Sequence, residues 1–460
     1  MSKRETIDRW SLGYWMLQVF LIRTFYNFYY SKFRIYASEK IPKGEPVILA
    51  PNHQNALMDA LVFVSGLKKQ TVFLARADIF KKDFVIKILT YIKILPVYRI
   101  RDGRSELQKN DEIFDVTKKV LHNKINPLCL YPEGNHGDKR RLRPLVKGLF
   151  RIAFKAQEKY KDKEGVKIVP TGIDYSNYYK FRRTLFVNFG DPIEVSDYWK
   201  EYEKNPAVGM NRLRDRLSDE IKKVMIHIET QEFYGLYMGL RKIYNRSLCK
   251  KLKLNPHDLY NQHRADKILI EALDNCLEKD QTRIEGLNRV FQQYQELKKE
   301  LNYRDWVPQK KRYCIIANVL FTALSLITLP LVVLGLFNNW PHFFIPLRIT
   351  KKIRDKQFHS TAKWVFGLVL MIIYYVLLLT LALIFLPFWW LKILYILILP
   401  SSGIYALSYR KFLIKSWIRV RYSIEMIFKK PKTQQLKSCH DQLVELTDQI
   451  YTEYAVTSSD

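Results

Sequence analysis

The sequence predicts an α/β domain, a central and mostly buried sheet flanked by helices, followed by a helical appendage and C-terminal membrane-embedded helices. Three observations lead to this fold class. Residues 34–196 alternate short apolar runs of β character with runs of helical period, as in a sheet covered by helices. Residues 208–305 are charged and helical with almost no strand signal. After residue 313 come apolar runs long enough to enter a bilayer.

The α/β region contains five predicted strands and three predicted helices. The strands are PVILAP, QTVFLAR, NPLCLYPEG, VKIVPTGIDY and TLFVNFGDPIEV, and the helices are ALMDALVFVSGL, SELQKNDEIFDVTKKVLH and VKGLFRIAFKAQEKY. Their alternation predicts a layered α/β domain.

The N-terminal residues 10–30 are apolar and aromatic, with Gln18 and Arg23 interrupting them. We expect an interfacial helix that lies on the membrane, and a full span is the alternative. The basic start of the chain is not followed by the apolar core and small-residue site of a signal peptide, so we expect no cleaved leader.

Three apolar runs mark the membrane region. Residues 314–337 form a run of 24 without a charge, and residues 364–387 and 393–409 form two more. Basic clusters flank all of them, and the positive-inside rule places every cluster in the cytoplasm. This predicts a hairpin over 364–409 and a re-entrant segment over 314–346, with three simple crossings as the alternative.

These features divide the chain into five parts. They are an N-terminal membrane-associated helix (1–33), the α/β domain (34–200), a helical appendage (201–312), the membrane-embedded helices (313–410) and a basic cytoplasmic C-terminal tail (411–460).

The strongly basic composition restricts the class of partner. The chain has 76 Lys and Arg against 45 Asp and Glu, a formal net charge of +31. This balance suits either nucleic acid or an anionic membrane face. The basic residues lie at membrane flanks and strand ends, and no nucleic-acid-binding module is recognisable. We therefore expect membrane lipids, preferably anionic ones, as partners and no nucleic acid.

The cysteines and histidines indicate neither disulfides nor a metal site. Five Cys are scattered without a CxxC pair, which favours reduced thiols on the cytosolic side. The nine His are also dispersed and show no metal-ligand spacing. We expect no bound metal.

His53 and Asp59 stand out within the apolar stretch PVILAPNHQNALMDALVF. His53 comes between a predicted strand and a helix, and the helix dipole favours a neutral imidazole that can act as a base. Positions six apart are about 240° apart around a helix. The pair can therefore meet only if His53 lies in the loop and folds back over the first helical turn. From these two residues alone, an ordinary loop His and a surface Asp are the simpler interpretation.

Later loops add basic residues directly after strands. ILPVY is followed by Arg99, Arg101 and Arg104, and LCLY is followed by Pro-Glu-Gly and five basic residues. Guanidinium groups at strand ends suit a phosphate, although a single basic run is usually a solvated face. In a fourth stretch, KIVPTGIDY, Pro170 and Gly172 allow close backbone approach.

Taken in order, the four stretches resemble the four blocks of the glycerolphosphate/lysophosphatidate acyltransferase superfamily. NHQNALMD resembles the Asn-His…Asp of block one and ILPVYR the Pro-Val-x-Arg of block two. LYPEGNH resembles the Phe-Pro-Glu-Gly of block three, and IVPTGI resembles block four. The resemblance covers about residues 45–195, one third of the chain.

The resemblance implies a role for each matched residue. His53 is implied as the general base and Asp59 as its orienting partner, with Pro170 and Gly172 of block four shaping the acyl-donor side. For the acceptor it implies that Arg99, with Arg101, binds the phosphate. Glu133 and Gly134 are implied to position the glycerol backbone.

The spacing of block one tilts the expected acceptor toward glycerol 3-phosphate. Five residues separate His53 from Asp59, whereas the commonest block one has four. The longer spacer, GNHGD after Glu-Gly and YYKFRRTLFVNFGDPIEV after block four resemble the yeast-type glycerol-3-phosphate/dihydroxyacetone-phosphate acyltransferase branch, which also has a membrane-embedded C-terminal region.

The resemblance thus implies an integral membrane acyltransferase of phospholipid synthesis, with its catalytic domain on the cytoplasmic face. Acyl-CoA or acyl carrier protein would be the co-substrate, and no further cofactor is expected. Lysophosphatidate or another lysolipid is the alternative acceptor. A non-catalytic membrane scaffold and a membrane-anchored nucleic-acid-binding protein are the more remote alternatives. The sequence leaves the oligomeric state open.

Overall fold

The computed structural model describes residues 7–80, 82–98 and 108–457, without the side chain of Lys109. The chain forms two compact units. The first comprises Met1–His227 together with Ile353–Trp364, and the second comprises Ile228–Lys352 together with Val365–Asp460. A short segment between two apolar helices therefore belongs to the first unit.

The first unit is built on one eight-stranded mixed sheet. Its strands are β1 (Lys32–Tyr36), β2 (Val47–Pro51), β3 (Val72–Arg76), β4 (Ile94–Val97), β5 (Leu128–Cys129), β6 (Lys167–Tyr175), β7 (Thr184–Phe189) and β8 (Ile193–Glu194). The strand order is β1-β7-β6-β2-β5-β3-β4, and β8 also pairs with β6. The expected fold class of a buried sheet flanked by helices is confirmed.

The central strands run parallel and end at one edge of the sheet. Strand β2 pairs in parallel with both β5 and β6, and β3 pairs in parallel with β4 and β5. Strand β6 is antiparallel to β7 and β8. Because every residue of β2 is buried, this apolar strand fixes the middle of the sheet. The loops that follow β2, β3, β5 and β6 therefore meet at the same edge.

Helices cover the sheet of the first unit. They are α1 (Leu12–Met16), α2 (Thr24–Tyr29), α3 (Ala56–Gly66), α4 (Asp83–Tyr91), α5 (Lys109–Asn123), α6 (Gly148–Gln157), α7 (Trp199–Lys204) and α8 (Pro206–Val224). Leu213, Leu217 and Ile221 of α8 are fully buried in the core that also contains the sheet residues Ile48 and Ile168. Helices α7 and α8 therefore pack as part of this unit, although the predicted domain boundary was placed at residue 200.

The N-terminal helices have one buried and one exposed apolar face. Between α1 and α2 the residues Leu17–Arg23 form a π-helical stretch. Tyr14 and Tyr26 face the core, whereas Leu12 and Phe20 are largely exposed. The segment is not among the candidate membrane spans within the described residues. The segment is therefore amphipathic, and its expected place at a membrane interface stays a prediction.

The second unit is helical throughout its described elements. Its helices are α9 (Tyr234–Lys251), α10 (Leu259–Lys279), α11 (Gln281–Glu300), α12 (Ile315–Ser325), α13 (Leu329–Thr350), α14 (His359–Phe385, whose first turn belongs to the first unit), α15 (Trp389–Ile427) and α16 (Pro431–Thr457). Three stretches are long and apolar enough to cross a membrane, Ile315–Thr350, Lys356–Phe385 and Trp389–Ile427.

The first of these stretches differs in shape from the expected re-entrant hairpin. All residues from 315 to 350 are described, and they form α12, a 3-10 turn at Leu326–Thr328 and α13 without a chain reversal. Pro330 does not break the helix because it lies at the first helical positions, where no backbone N–H is needed. The number of net membrane crossings stays a prediction.

Candidate active site

His53 lies in the short turn between β2 and α3, at the carboxyl edge of the parallel strands. Its ring atom Nδ1 is 2.7 Å from Oδ2 of Asp59, which lies in the first turn of α3. The side chain of His53 is 14% exposed and that of Asp59 is fully buried. The loop thus folds back over the helix start, which is the one arrangement that the six-residue spacing allows.

Asp59 is held by four hydrogen bonds. Its Oδ2 accepts from Nδ1 of His53 at 2.7 Å. The same oxygen accepts from the backbone N–H groups of Gln54 and Asn55, both at 2.8 Å. Its Oδ1 accepts from the hydroxyl of Tyr175, at the end of β6, at 2.6 Å. Because the carboxylate accepts from Nδ1, that nitrogen carries the proton in the neutral ring. The Nε2 atom of His53 is then the basic nitrogen.

Glu133 fixes the backbone of the same loop. Its Oε1 accepts from the backbone N–H of His53 at 2.8 Å, and its Oε2 accepts from the backbone N–H of Arg143 at 3.1 Å. Burial raises the pKa of Glu133 to about 7, although both backbone hydrogen bonds and the nearby charges of His53 and Arg143 oppose the shift. Glu133 thus positions His53 through a hydrogen bond to its backbone N–H, and not through a contact with the imidazole ring.

The other residues of the block-three loop complete this support. Tyr131 stacks on the ring of His53, with centroids 4.0 Å apart. Gly134 has φ +65°, and a Cβ there would lie 3.1 Å from the methyl groups of Val146. The backbone N–H of Gly137 donates to the carbonyl of His53 at 3.0 Å. Gly134 thus allows the tight turn that brings the loop under His53.

Pro170 and Gly172 lie on the buried strand β6 rather than at the rim of the site. Pro170 is in register with Ala50 of β2. A Cβ on Gly172 would lie 2.1 Å from the carbonyl oxygen of Val224, at the end of α8. Their contacts are those of close packing, and their predicted place on the acyl-donor side stays a prediction.

Two predicted site residues, Arg99 and Arg101, lie outside the described residues, and so does Arg104. The described chain reaches Tyr98, whose backbone N–H and C=O are both bonded by the side chain of Asn110, at 3.0 and 2.8 Å. The predicted phosphate-binding role of this loop stays a prediction.

The structure adds residues that the sequence analysis did not single out. Asn52 ties the loop to β6, since its Oδ1 accepts from the N–H of Ile173 at 2.6 Å and its Nδ2 donates to the carbonyl of Ile173 at 3.1 Å. Tyr175 and Tyr131 contact the His–Asp pair directly. Asn52 is part of the Asn-His pair of block one, which was a usable signal. The two tyrosines carry no such signal, because aromatic residues at strand ends are usually core residues.

Residues 7–80, 82–98 and 108–457 contain no group of three or more His, Cys, Asp or Glu side chains placed to hold a metal ion. The site as described therefore consists of a buried acid, an imidazole with a free basic nitrogen and the loops that hold them. Such a pair can remove a proton from a hydroxyl group.

Comparison with known proteins identifies relatives of the α/β region. Residues 32–174 match the family model described as Acyltransferase. The chain is 31% identical over 142 residues to glycerol-3-phosphate O-acyltransferase 1 of Saccharomyces cerevisiae, which is 30% of this chain and 18% of that protein. It is 23% identical over 192 residues to 1-acyl-sn-glycerol-3-phosphate acyltransferase beta of Homo sapiens, which is 42% of this chain and 62% of that protein.

Among solved structures, the 1-acyl-sn-glycerophosphate acyltransferase of Thermotoga maritima aligns with a TM-score of 0.30 and 18% identity. The alignment covers 46% of this chain and 88% of that one. In both sequence relatives the match covers less than two thirds of the relative's own length.

Proposed function

We propose that the whole chain is a membrane-bound O-acyltransferase of phospholipid synthesis, because residues 32–174 match the Acyltransferase family model. It would transfer a fatty acyl group from a thioester donor, acyl-CoA or acyl carrier protein, to a hydroxyl of a glycerol-phosphate acceptor. The observation that carries this proposal is the hydrogen bond between His53 and the fully buried Asp59 inside the matched domain.

In the proposed reaction His53 is the general base. Its Nε2 takes the proton of the acceptor hydroxyl as that oxygen attacks the thioester carbonyl. Asp59 keeps the ring in the required tautomer and stabilises the imidazolium that forms. Collapse of the tetrahedral intermediate breaks the carbon–sulfur bond, and the departing thiolate takes the proton from His53. Glu133 and Tyr131 hold the base in place, and no covalent enzyme intermediate is needed.

Glycerol 3-phosphate is the favoured acceptor in this proposal. Its support is the five-residue spacer of block one and the 31% identity to a relative named for that acceptor. The second candidate is 1-acylglycerol 3-phosphate, which the longer match to the human relative favours. Offering both acceptors side by side to the purified protein decides between them.

The test of the base is acyl transfer by the detergent-solubilised protein and by two variants. We expect His53→Ala to lower the rate by on the order of 10² to 10⁴. Asp59→Asn should also lower it, because an amide can keep the tautomer but cannot stabilise the imidazolium. His257→Ala, which changes an exposed histidine of the second unit, is the matched control. Activity of His53→Ala within a few-fold of wild type would refute the assignment.

We further propose that the catalytic unit faces the cytoplasm and that the membrane flanks bind anionic lipids. The support is the three candidate spans and the basic residues beside them. Each well-placed Lys or Arg contributes about 1 kcal/mol at an anionic surface. Anionic lipids should therefore be enriched in the purified protein relative to bulk membrane, as measured by lipid mass spectrometry. Lys351→Gln with Lys352→Gln should reduce the enrichment, and an unchanged lipid profile would contradict the proposal.

A further inference from the structure

His136 is a second imidazole beside the proposed base. It follows Glu133 in the loop after β5, and its ring meets that of His53 edge-on, with centroids 5.4 Å apart and an interplanar angle of 88°. The backbone of His136 makes two hydrogen bonds with side chains. Its N–H donates to the side-chain oxygen of Asn135, and its carbonyl accepts from the guanidinium group of Arg143. Its ring nitrogens have no hydrogen-bond partner among residues 7–80, 82–98 and 108–457. The ring is thus fixed in place with its polar atoms available.

His136 also contacts a distant part of the chain. Phe358, in the segment Ile353–Trp364 that runs into the start of α14, packs edge-on against His136 with ring centroids 5.0 Å apart. The ring of His136 thus makes edge-on contacts with both His53 and Phe358. The contact lies within the first unit, to which this segment belongs.

The segment that carries Phe358 is anchored at several further points. Ser360 Oγ donates to the carbonyl of Tyr178 at 2.5 Å, and the same carbonyl accepts from the side chain of Asn55 at 2.8 Å. Lys363 Nζ donates to the carbonyl of Tyr179 at 2.7 Å. Asn55 in turn donates its backbone N–H to Asp59. The carbonyl of Tyr178 therefore links the segment to Asn55, which lies in the turn that holds His53 and Asp59.

The surroundings of His136 keep its ring neutral at physiological pH. Burial lowers its pKa to about 4, and the charges of His53 and Arg76 act in the same direction. Asp59 and Asp355 oppose this shift without reversing it. A neutral imidazole presents one N–H donor and one lone pair. These complement a hydroxyl group, which can both accept and donate, better than they complement a phosphate dianion.

We propose that His136, held in place by Phe358, contacts the acceptor hydroxyl that neighbours the one being acylated. This inference rests on the proposed function and deepens it. A small polyol bound at the base lies within hydrogen-bond reach, about 3 Å, of both imidazoles when their rings are this close. His136 thereby favours acceptors with two neighbouring hydroxyls, and Phe358 is a positioning residue from a segment distant in sequence that belongs to the first unit.

The test compares two acceptors that differ in that hydroxyl alone, glycerol 3-phosphate and 3-hydroxypropyl phosphate. The wild type should prefer glycerol 3-phosphate in kcat/KM by about tenfold or more, because a buried polar group left unpaired is unfavourable. His136→Phe keeps a ring that can contact His53 and Phe358 but removes the polar atoms. In this variant the preference should fall toward one, with most of the loss on glycerol 3-phosphate. His257→Phe is the matched control and should keep the preference.

Phe358 is tested by the same ratio of the two acceptors. Phe358→Ala should lower the preference several-fold, and Phe358→Leu, which keeps apolar volume, should restore most of it. Equal losses on both acceptors in these variants would assign Phe358 a structural role and overturn its part of the proposal.

Two results separate this inference from the proposed function. Transfer to glycerol 3-phosphate that depends on His53, together with an unchanged preference in His136→Phe, would overturn the inference and leave the proposed function standing. Absence of transfer to glycerol 3-phosphate alongside transfer to 1-acylglycerol 3-phosphate would also overturn the inference alone, whereas absence of transfer from either thioester donor to either of these two acceptors would overturn both.

Discussion

Glu133 combines a positioning role with a cost to stability. It accepts backbone N–H groups through both carboxylate oxygens, which suits the ionised form, yet it is 5% exposed. Its pKa of about 7 lies above the ordinary value of 4.5 because burial disfavours the charge. A raised carboxyl pKa means that the stabilising contribution is complete below about pH 4.5 and is lost as the pH rises through about 7.

Glu133→Gln should remove this pH dependence. Between about pH 5 and pH 8 the wild type should lose up to about 3 kcal/mol of unfolding free energy from this group, whereas the neutral amide loses none. Thermal unfolding at both pH values measures the difference. The variant should gain stability relative to wild type at the higher pH, yet lose activity, because one amide oxygen cannot replace two acceptors. Glu296→Gln, at an exposed position on α11, is the control. A stability difference that does not change with pH would contradict this account.

At the residue scale, the sequence could predict the members of the site better than their contacts. From His53 and Asp59 alone an ordinary loop His and a surface Asp were the simpler interpretation, and their pairing was predicted by the resemblance of the four ordered stretches. Glu133 was expected to position the glycerol backbone of the acceptor, which stays a prediction, and its hydrogen bond to the backbone of His53 was not foreseen. The role of Tyr175 could not be predicted, since its hydroxyl reaches Asp59 only after β6 is placed beside β2. Such contacts depend on the order of strands, which local patterns do not encode.

The helices α13 and α15 approach each other closely in the second unit. A Cβ on Gly335 would lie 2.2 Å from the carbonyl oxygen of Ser402, so this position requires glycine. One turn further along α13, the side chain of Asn339 donates to the carbonyl of Leu399 at 3.2 Å. Small residues and side-chain amides of this kind hold helices together in lipid, where apolar surface gives little driving force.

Gly335→Ala should therefore separate these two helices. We expect a loss of about 1 to 3 kcal/mol, because the added methyl group meets backbone that cannot move aside. Gly286→Ala on α11 is the matched control, since nothing lies within 4 Å of its added Cβ. The control should gain about 0.5 to 1 kcal/mol from the lower entropy of its unfolded chain. Unfolding of both proteins in the same detergent gives the comparison, and equal stability would refute the close packing.

At the element scale, helices and strands were predictable where a single period dominates, and boundaries were not. The apolar strand β2 and the helix α3 were expected from the sequence and are present. Helix α8 was assigned to the appendage because its surface is highly charged. Its apolar stripe, Leu213, Leu217 and Ile221, nevertheless packs into the core of the first unit. Charge composition alone therefore cannot tell a covering helix from a separate helical domain.

At the scale of the whole molecule, sequence patterns could not predict that Ile353–Trp364 packs as part of the first unit. In the sequence this segment contains part of a basic cluster between two apolar runs. Its contacts are with residues far away in the chain, such as His136 and Tyr178. Contacts between residues so far apart in the sequence are determined by the tertiary fold. Neither residue spacing nor composition predicts them.

This return restricts how the apolar stretch Ile315–Thr350 can lie in a membrane. The first unit contains residues from before the stretch, up to His227, and residues after it, from Ile353. Since a folded body lies on one side of a bilayer, we predict that the residues before and after the stretch lie on the same side. With 36 helical residues it extends roughly 54 Å, against about 30 Å of hydrocarbon. The re-entrant arrangement expected from the sequence stays a prediction, and the 3-10 turn, Pro341 and Pro346 are the places where the stretch can bend.

Labelling with a membrane-impermeant maleimide in sealed vesicles measures this. Cys314, just before α12, is the exposed one of the five cysteines, and the other four are buried. A cysteine introduced by Arg354→Cys reports on the far end of the stretch. The re-entrant prediction requires both thiols to react from the same side, because such a segment enters and leaves the bilayer at one face. Reaction from opposite sides would mean an odd number of crossings and would contradict this prediction.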